Sequence, residues 1–396
     1  MKKSKKKQTP VPKKPDKISI IVLISAAVIF LVAFTSIYSE DFLNGAGAIF
    51  SRDGDEIVEF EKATVKEVLK EELEIDETAD RAYTGRQKLA VTVRSGRYKG
   101  EEMVVYNYCG PLYGVPVSKN DSVTLTVKTH DDGRYGATVY EFNRIPILAG
   151  FVLLFFVTVL IIGGRTGFKS MVGLIITIIC LFTILIPLLL KGAPTIPTTF
   201  LTCAYISLVC FTILGGVRRK TLSAFLGTVS GAFFAMVFGI AVQYIAKIDG
   251  LRLEDAEPLL QLKYAEPSIG LGLRGLLVAG IIISALGAVM DVAMSISSSL
   301  EEVHAANPSI SRNDLFRSGM NIGRDMVGTM TNTLILAFLG GEFTLIIFLY
   351  SRGLTFYHLF STAFVALETI SGISSSIGMV LAIPLTAYIS SSLISK

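Results

Sequence analysis

The stretch SALGAVMDVAMSISSSLEE, residues 284–302, sets the terms for the whole chain. It ends a long apolar run, and a carboxylate, Asp291, sits inside it. Placing such a group at the centre of a membrane helix costs about 2.5–3.5 kcal/mol on insertion scales. Read at helical spacing, Ser284, Gly287, Asp291, Ser295 and Ser298 fall on one stripe. A lipid-facing surface would be apolar, so this side is expected to face other helices or water.

The rest of the chain supports a membrane reading. Of 396 residues, 51% are hydrophobic and 18% are charged, below the roughly 25% charge of soluble domains. Apolar runs long enough to cross a bilayer recur. The expected fold class is an α-helical polytopic membrane protein with about eight transmembrane helices. Spans are expected at residues 18–38, 145–163, 170–190, 198–217, 221–245, 275–299 and 326–350. The last apolar region, 356–394, is too long for one straight span, and Gly372 and a serine run interrupt it. A broken arrangement is expected there, with a short or re-entrant helix ahead of the final span. Two full spans are the alternative.

Residues 39–142 are different in character. KLAVTVRSG and EEMVVYNY alternate polar and apolar residues around a turn, and DSVTLTVKTHDDGRYGATVYEF reads as a hairpin with Asp-Asp-Gly at its tip. A small extracytoplasmic all-β domain, OB-like or a sandwich, is the expectation. The chain then divides into a basic cytoplasmic tail (1–17), an anchor helix (18–38), the β domain (39–142) and a helical bundle (143–396). The Glu-rich stretch 56–80 lacks the interleaved aromatics that stack bases, so nucleic acid is not an expected partner.

The formal net charge of +4 hides a pattern. Eight lysines crowd the first 17 residues, and Arg165, Lys169, the VRRK of 217–220, Arg312, Arg317 and Arg324 fall on alternate loops. The positive-inside rule places that side in the cytoplasm and the β domain outside. The four cysteines and three histidines have no metal or redox spacing, so neither metal nor cofactor is expected.

Two more carboxylates, Glu342 and Glu368, lie inside apolar segments, while every Lys and Arg sits at an edge or in a loop. Each acid must be protonated, reached by water or neutralised by a cation. If the sixth and seventh spans pack antiparallel, Asn332 and Thr331 reach a depth comparable to Asp291. A protonated Asp291 bonded to one of them is the purely structural alternative. Gly340 and Gly341 can bend the helix beside Glu342. Asn321, Arg324 and Asp325 form a polar cluster at the cytoplasmic edge. Ser223, Gly227, Gly231, Ala235 and Gly239 recur every four residues, a pattern for close helix packing rather than chemistry.

The blocks GAVMDVAMSISSSLEE and SGMNIGRDMVGTMTNTLILAF resemble the YibE/F-like family of multi-pass bacterial membrane proteins. The resemblance implies a polytopic protein of the bacterial plasma membrane and carries no active-site roles. Transport of a cation or a proton-coupled solute is the leading expectation, with Asp291, Glu342, Glu368, Asn332, Ser295 and Thr331 as pathway candidates. The alternative is a scaffold or sensor whose β domain binds an envelope partner, or whose loop EEVHAANPSISRNDLFRSG docks a cytoplasmic protein. Beyond the lipid bilayer, oligomerisation is compatible with the sequence. An intramembrane aspartyl protease pairing Asp291 with Asp325 is disfavoured, since NIGRD lacks the Gly-x-Gly-Asp pattern. No enzyme activity is expected.

Overall fold

The structure is a computed structural model that describes residues 52–53, 56–129, 135–253, 256–265 and 269–395, with five helical positions between Ile24 and Leu31. It divides into two compact units, one spanning Tyr38–Ile162 and one containing the chain from Gly163 onward.

The first unit contains β1 (Arg52–Asp53), β2 (Glu56–Asp76), β3 (Ala82–Val93), β4 (Glu102–Cys109), β5 (Ser122–Thr129) and β6 (Tyr135–Phe142). With 21 residues, β2 is long enough to pair twice. Its first part lies against β5 and its later part against β3. Register shifts near Val65 and Val68 bend the strand, as bulges do. The remaining order, β3-β4-β6-β5, has β4 and β6 parallel. The sheet therefore closes on itself through β2, a small Greek-key barrel with OB-type connectivity, and the sandwich alternative falls away. Gly85 of β3 pairs with Leu73 of β2. A Cβ there would lie 2.1 Å from the Glu72 carbonyl oxygen, and its φ of +129° suits only glycine.

Alternation fills the barrel. On β4, Met103, Val105, Asn107 and Cys109 point inward while Val104, Tyr106 and Tyr108 point out. Val65, Leu89, Val91, Val105 and Leu125 are fully buried. Two amides sit among them. Asn107 Nδ2 donates to Gln87 Oε1 at 3.0 Å, and Gln87 both donates to the Val117 carbonyl (3.2 Å) and accepts from the Val117 N–H (2.9 Å). The loop after β4 is thus tied to the barrel interior. The expected strands correspond to β3, β4 and the β5–β6 hairpin, whose Asp-Asp-Gly tip lies outside the described residues.

The helical part runs α1 (Ile145–Leu190), α2 (Thr195–Gly215), α3 (Arg219–Ala246), the short α4 (Ala256–Ala265), α5 (Leu276–Ala306), α6 (Arg312–Gly341), α7 (Phe343–Ser351), α8 (Phe356–Ser361) and α9 (Ala363–Ile394). Among the described residues, five helices are long and apolar enough to cross a membrane, or six if the bent pair α6–α7 is one span. This is fewer than the expected eight, for two reasons. The span at 18–38 lies largely outside the described residues. The spans at 145–163 and 170–190 form one helical run of 46 residues. At 1.5 Å per residue that run is about 69 Å long, more than twice a hydrocarbon core. Gly164 (φ 51°, ψ −129°) leaves helical geometry within it.

The final region is broken, though not where the serines suggested. α8 ends at Ser361, Thr362 is extended, and α9 then runs 32 residues without interruption through Gly372, the serines and Pro384. The second break falls at Gly340 and Gly341, where α6 and α7 meet at 61°.

The bundle core is α3, α5 and α9. A Cβ on Gly231 of α3 would lie 2.7 Å from Ala382 Cβ, and one on Gly378 of α9 would lie 2.6 Å from Ala235 Cβ. The four-residue stripe on α3 thus lets two backbones touch. α5 adds Ile281, Ala285, Val289, Val292 and Ile296, all fully buried. Two pairs of hydroxyls meet in this apolar core, Ser284 with Ser375 at 2.7 Å and Ser297 with Ser390 at 2.9 Å, while Thr228 of α3 and Ser374 and Thr386 of α9 are buried without a hydrogen-bond partner. At one end, basic groups tie the helices together. Arg219 Nη1 donates to the Leu393 carbonyl (3.0 Å), Lys220 pairs with Glu301 (2.6 Å), and the Arg312 guanidinium lies 4.8 Å from the Tyr388 ring centre. The end of α9 therefore lies at the same end of the bundle as the VRRK loop.

Candidate functional site: two carboxylates at a helix break

The break between α6 and α7 is a backbone event. The Glu342 N–H still donates to the Phe338 carbonyl at 3.2 Å, and the Ile346 N–H donates to the Glu342 carbonyl at 3.0 Å. A Cβ on Gly340 or Gly341 would meet nothing within 4 Å, so these glycines are not required by packing. Their use is conformational, because glycine resists bending least. The bend brings Glu342 to the wall that α9 presents at Glu368.

Both acids are half-buried, and both line two adjoining cavities. One, of about 250 Å³, is walled by Phe338, Leu345, Phe360 and Gly372. The other, of about 220 Å³, reaches Leu253 and Leu259 of the α4 region. Among the described residues no Lys, Arg or His lines either cavity. Two carboxylates sharing one apolar-walled space repel when both are charged, so the arrangement favours a shared proton or a bound cation. Among the described residues no group of three His, Cys, Asp or Glu side chains could hold a metal ion.

The other candidates are placed elsewhere. Asp291 and Ser295 lie exposed on the outer face of α5, whereas Ser284 of the same stripe turns into α9. Depth can be read from packing: a Cβ on Gly319 would lie 3.0 Å from Leu300, and one on Gly323 would lie 3.4 Å from Ile296. Extending that antiparallel register sets Gly328 level with Asp291 and Asn332 one turn farther out. Asn332 is exposed, and Thr331 Oγ1 is buried with no hydrogen-bond partner. Neither bonds Asp291. Asn321, Arg324 and Asp325 are exposed along α6. The structure thus brings Glu342 and Glu368 together and leaves Asp291 apart from them.

Sequence reading missed a surface on the barrel. Across β3 and β4, Arg86 faces Tyr108 and Lys88 faces Tyr106. Across β2 and β3, Lys70 faces Lys88 and Glu72 faces Arg86. Glu72 contacts Lys70 and accepts from Arg86 Nε at 2.7 Å. Lys70 first, then Arg86, hold its carboxyl down to about 2. The Arg86 guanidinium lies 5.9 Å from the Tyr106 ring centre, and Tyr106 and Tyr108 are stacked. This cluster has three cationic groups to one acid beside two exposed rings. The signal was present as the outward positions of KLAVTV and EMVVYNY, but which strands meet is not a local property.

A closed β-barrel followed by long apolar helices that pack through small residues defines a mostly helical protein of membrane composition. Two of the three acids of its apolar segments, Glu342 and Glu368, gather where one helix breaks. A family profile described as YibE/F-like protein matches residues 151–396, as the two quoted blocks implied. The chain belongs to the YibE/F-like family. The match includes Asp291, Glu342 and Glu368, while the barrel lies outside it. Searches of curated proteins and of solved structures found no match.

Proposed function

We propose that this protein carries a cation, or couples a solute to protons, across the bacterial plasma membrane, with Glu342 and Glu368 as the acceptor site. The observation that carries this reading is the meeting of the two acids at a bent helix, in cavities with no basic lining residue among the described ones. Non-helical backbone at membrane depth is tolerated where it lines a cavity, and intramembrane acids mark ion and proton paths. With the basic loops cytoplasmic, Glu368 lies 25 residues along α9 from Leu393, about 38 Å. The acceptor site is then near the outer surface.

The test is ion and proton flux in proteoliposomes. Wild type is expected to move a monovalent or divalent cation or protons. Glu342→Gln and Glu368→Gln should each lower the rate about a hundredfold or more, the range for loss of a positioned acid–base group. Folded wild-type protein that moves none of the ions tested would remove the transport reading.

A second reading, a sensor whose barrel binds an envelope partner, is favoured by the Tyr106–Arg86–Lys88 surface, which suits an anionic ligand with flat rings or sugar faces. In a binding assay with acidic cell-envelope polysaccharide, Lys88→Glu combined with Tyr106→Ala should abolish retention of the full-length protein. Equal retention of variant and wild type would remove this reading.

A further inference from the structure

We propose that the exposed face of α5 around Asp291 packs against the exposed face of α6 in a second copy of this chain. Asp291 of one copy then meets Arg324 of the other. Asp291 stands at the midpoint of α5, fifteen residues from Leu276 and fifteen from Ala306, which is bilayer depth for a spanning helix. Its side chain is exposed, and it has no hydrogen bond or ion pair with any described residue. Lipid-facing carboxylates at that depth are rare, and such groups face protein or water. The opposite side of α5 is buried against its own bundle, so the exposed side is the one left to be covered.

The two faces are complementary in size and charge. On α5 the exposed positions are Gly287, Asp291 and Ser295. On α6, at the same depths, they are Asn332, Gly328 and Arg324. A second copy in the same membrane has the same orientation, so its residues keep these depths. Asn332 then meets Gly287, and Asp291 meets Gly328. A Cβ on Gly287 or Gly328 would find nothing within 4 Å in a single chain. Each glycine leaves room for the larger polar group across from it, the arrangement by which membrane helices approach closely. Arg324 lies four residues toward the basic end from Gly328, about 6 Å along the axis, within reach of its own long side chain. The α5 face supplies one negative charge, and Arg324 supplies the matching positive one. This inference does not depend on the transport reading.

The test uses full-length protein in lipid vesicles, one fluorophore per chain, with association read from photobleaching steps at increasing dilution. Wild type should bleach in two or more steps. Asp291→Asn and Arg324→Ala should each shift the dissociation midpoint about tenfold, the scale of one polar contact in lipid. The exchange Asp291→Arg with Arg324→Asp should restore association. Because charge variants can misfold, a second measurement co-expresses Gly287→Cys in one tagged copy with Asn332→Cys in another. Oxidation should then give a disulfide between copies. Single-step bleaching of wild type at every density would overturn the proposal. So would cross-linking of Gly287→Cys only to a cysteine introduced within residues 18–38 of its own chain, or to an unrelated membrane protein.

Discussion

Gly231→Val is expected to leave little folded protein. The first atom added would sit 2.7 Å from both Ala382 Cβ and Val289 Cγ1, and 3.0 Å from the Gly378 carbonyl oxygen. A flexible side chain tip could move aside, but backbone on α9 cannot yield without separating the helices. Overpacking a core costs about 1–3 kcal/mol, occasionally more. Here it strikes the α3–α9 crossing and one wall of α5 together. Gly150→Val is the matched control, since nothing lies within 4 Å of its Cβ. Size-exclusion recovery and thermal midpoint in detergent decide the matter. A Gly231→Val protein as well recovered and as heat-resistant as Gly150→Val would mean that the close crossing is not needed.

The second large effect is in the barrel. Gln87→Leu keeps the side-chain volume but removes the side-chain partner of both the Val117 N–H and its carbonyl, both buried. Each orphaned buried group costs about 1–3 kcal/mol, so the loss is about 2–6 kcal/mol against the 5–15 kcal/mol that hold a typical domain. The loop at residues 110–121 should become the first site of protease cleavage in the full-length chain, with a lowered barrel melting temperature. Unchanged cleavage there would show that water replaces the amide.

These effects mark where local reading worked and where it stopped. β3 and β4 were legible because one face of each is buried, which forces strict alternation. The run EIVEFEKATVKEVLKEELEID was not, because Glu and Lys are weak strand formers. It becomes a 21-residue strand only because β3 and β5 both claim it as a neighbour. The α3 glycine stripe was legible from its four-residue spacing, and its partner on α9 was not. The serines that enter the core include Ser297 and Ser390, which lie off the stripe drawn around Asp291. A helical period assigns residues to faces but does not say which face meets a neighbour.

The sequence by itself determined that this chain is mostly helical, with several segments long and apolar enough to cross a membrane and an all-β domain, that it resembles the YibE/F-like family, and that three acids lie within apolar segments. Those are properties of composition, period and local pattern. Only the tertiary structure decided which acids line the same cavities. Glu342 and Glu368 are 26 residues apart in sequence and meet because the chain bends by 61° at one and turns back through α8 to the other. Asp291 shares a stripe with Ser284, yet the crossing of α5 and α9 buries one and leaves the other outside. Each outcome depends on how helices cross. Crossing is set by long-range packing, such as glycine against alanine between α3 and α9, and no window of sequence contains both sides of it.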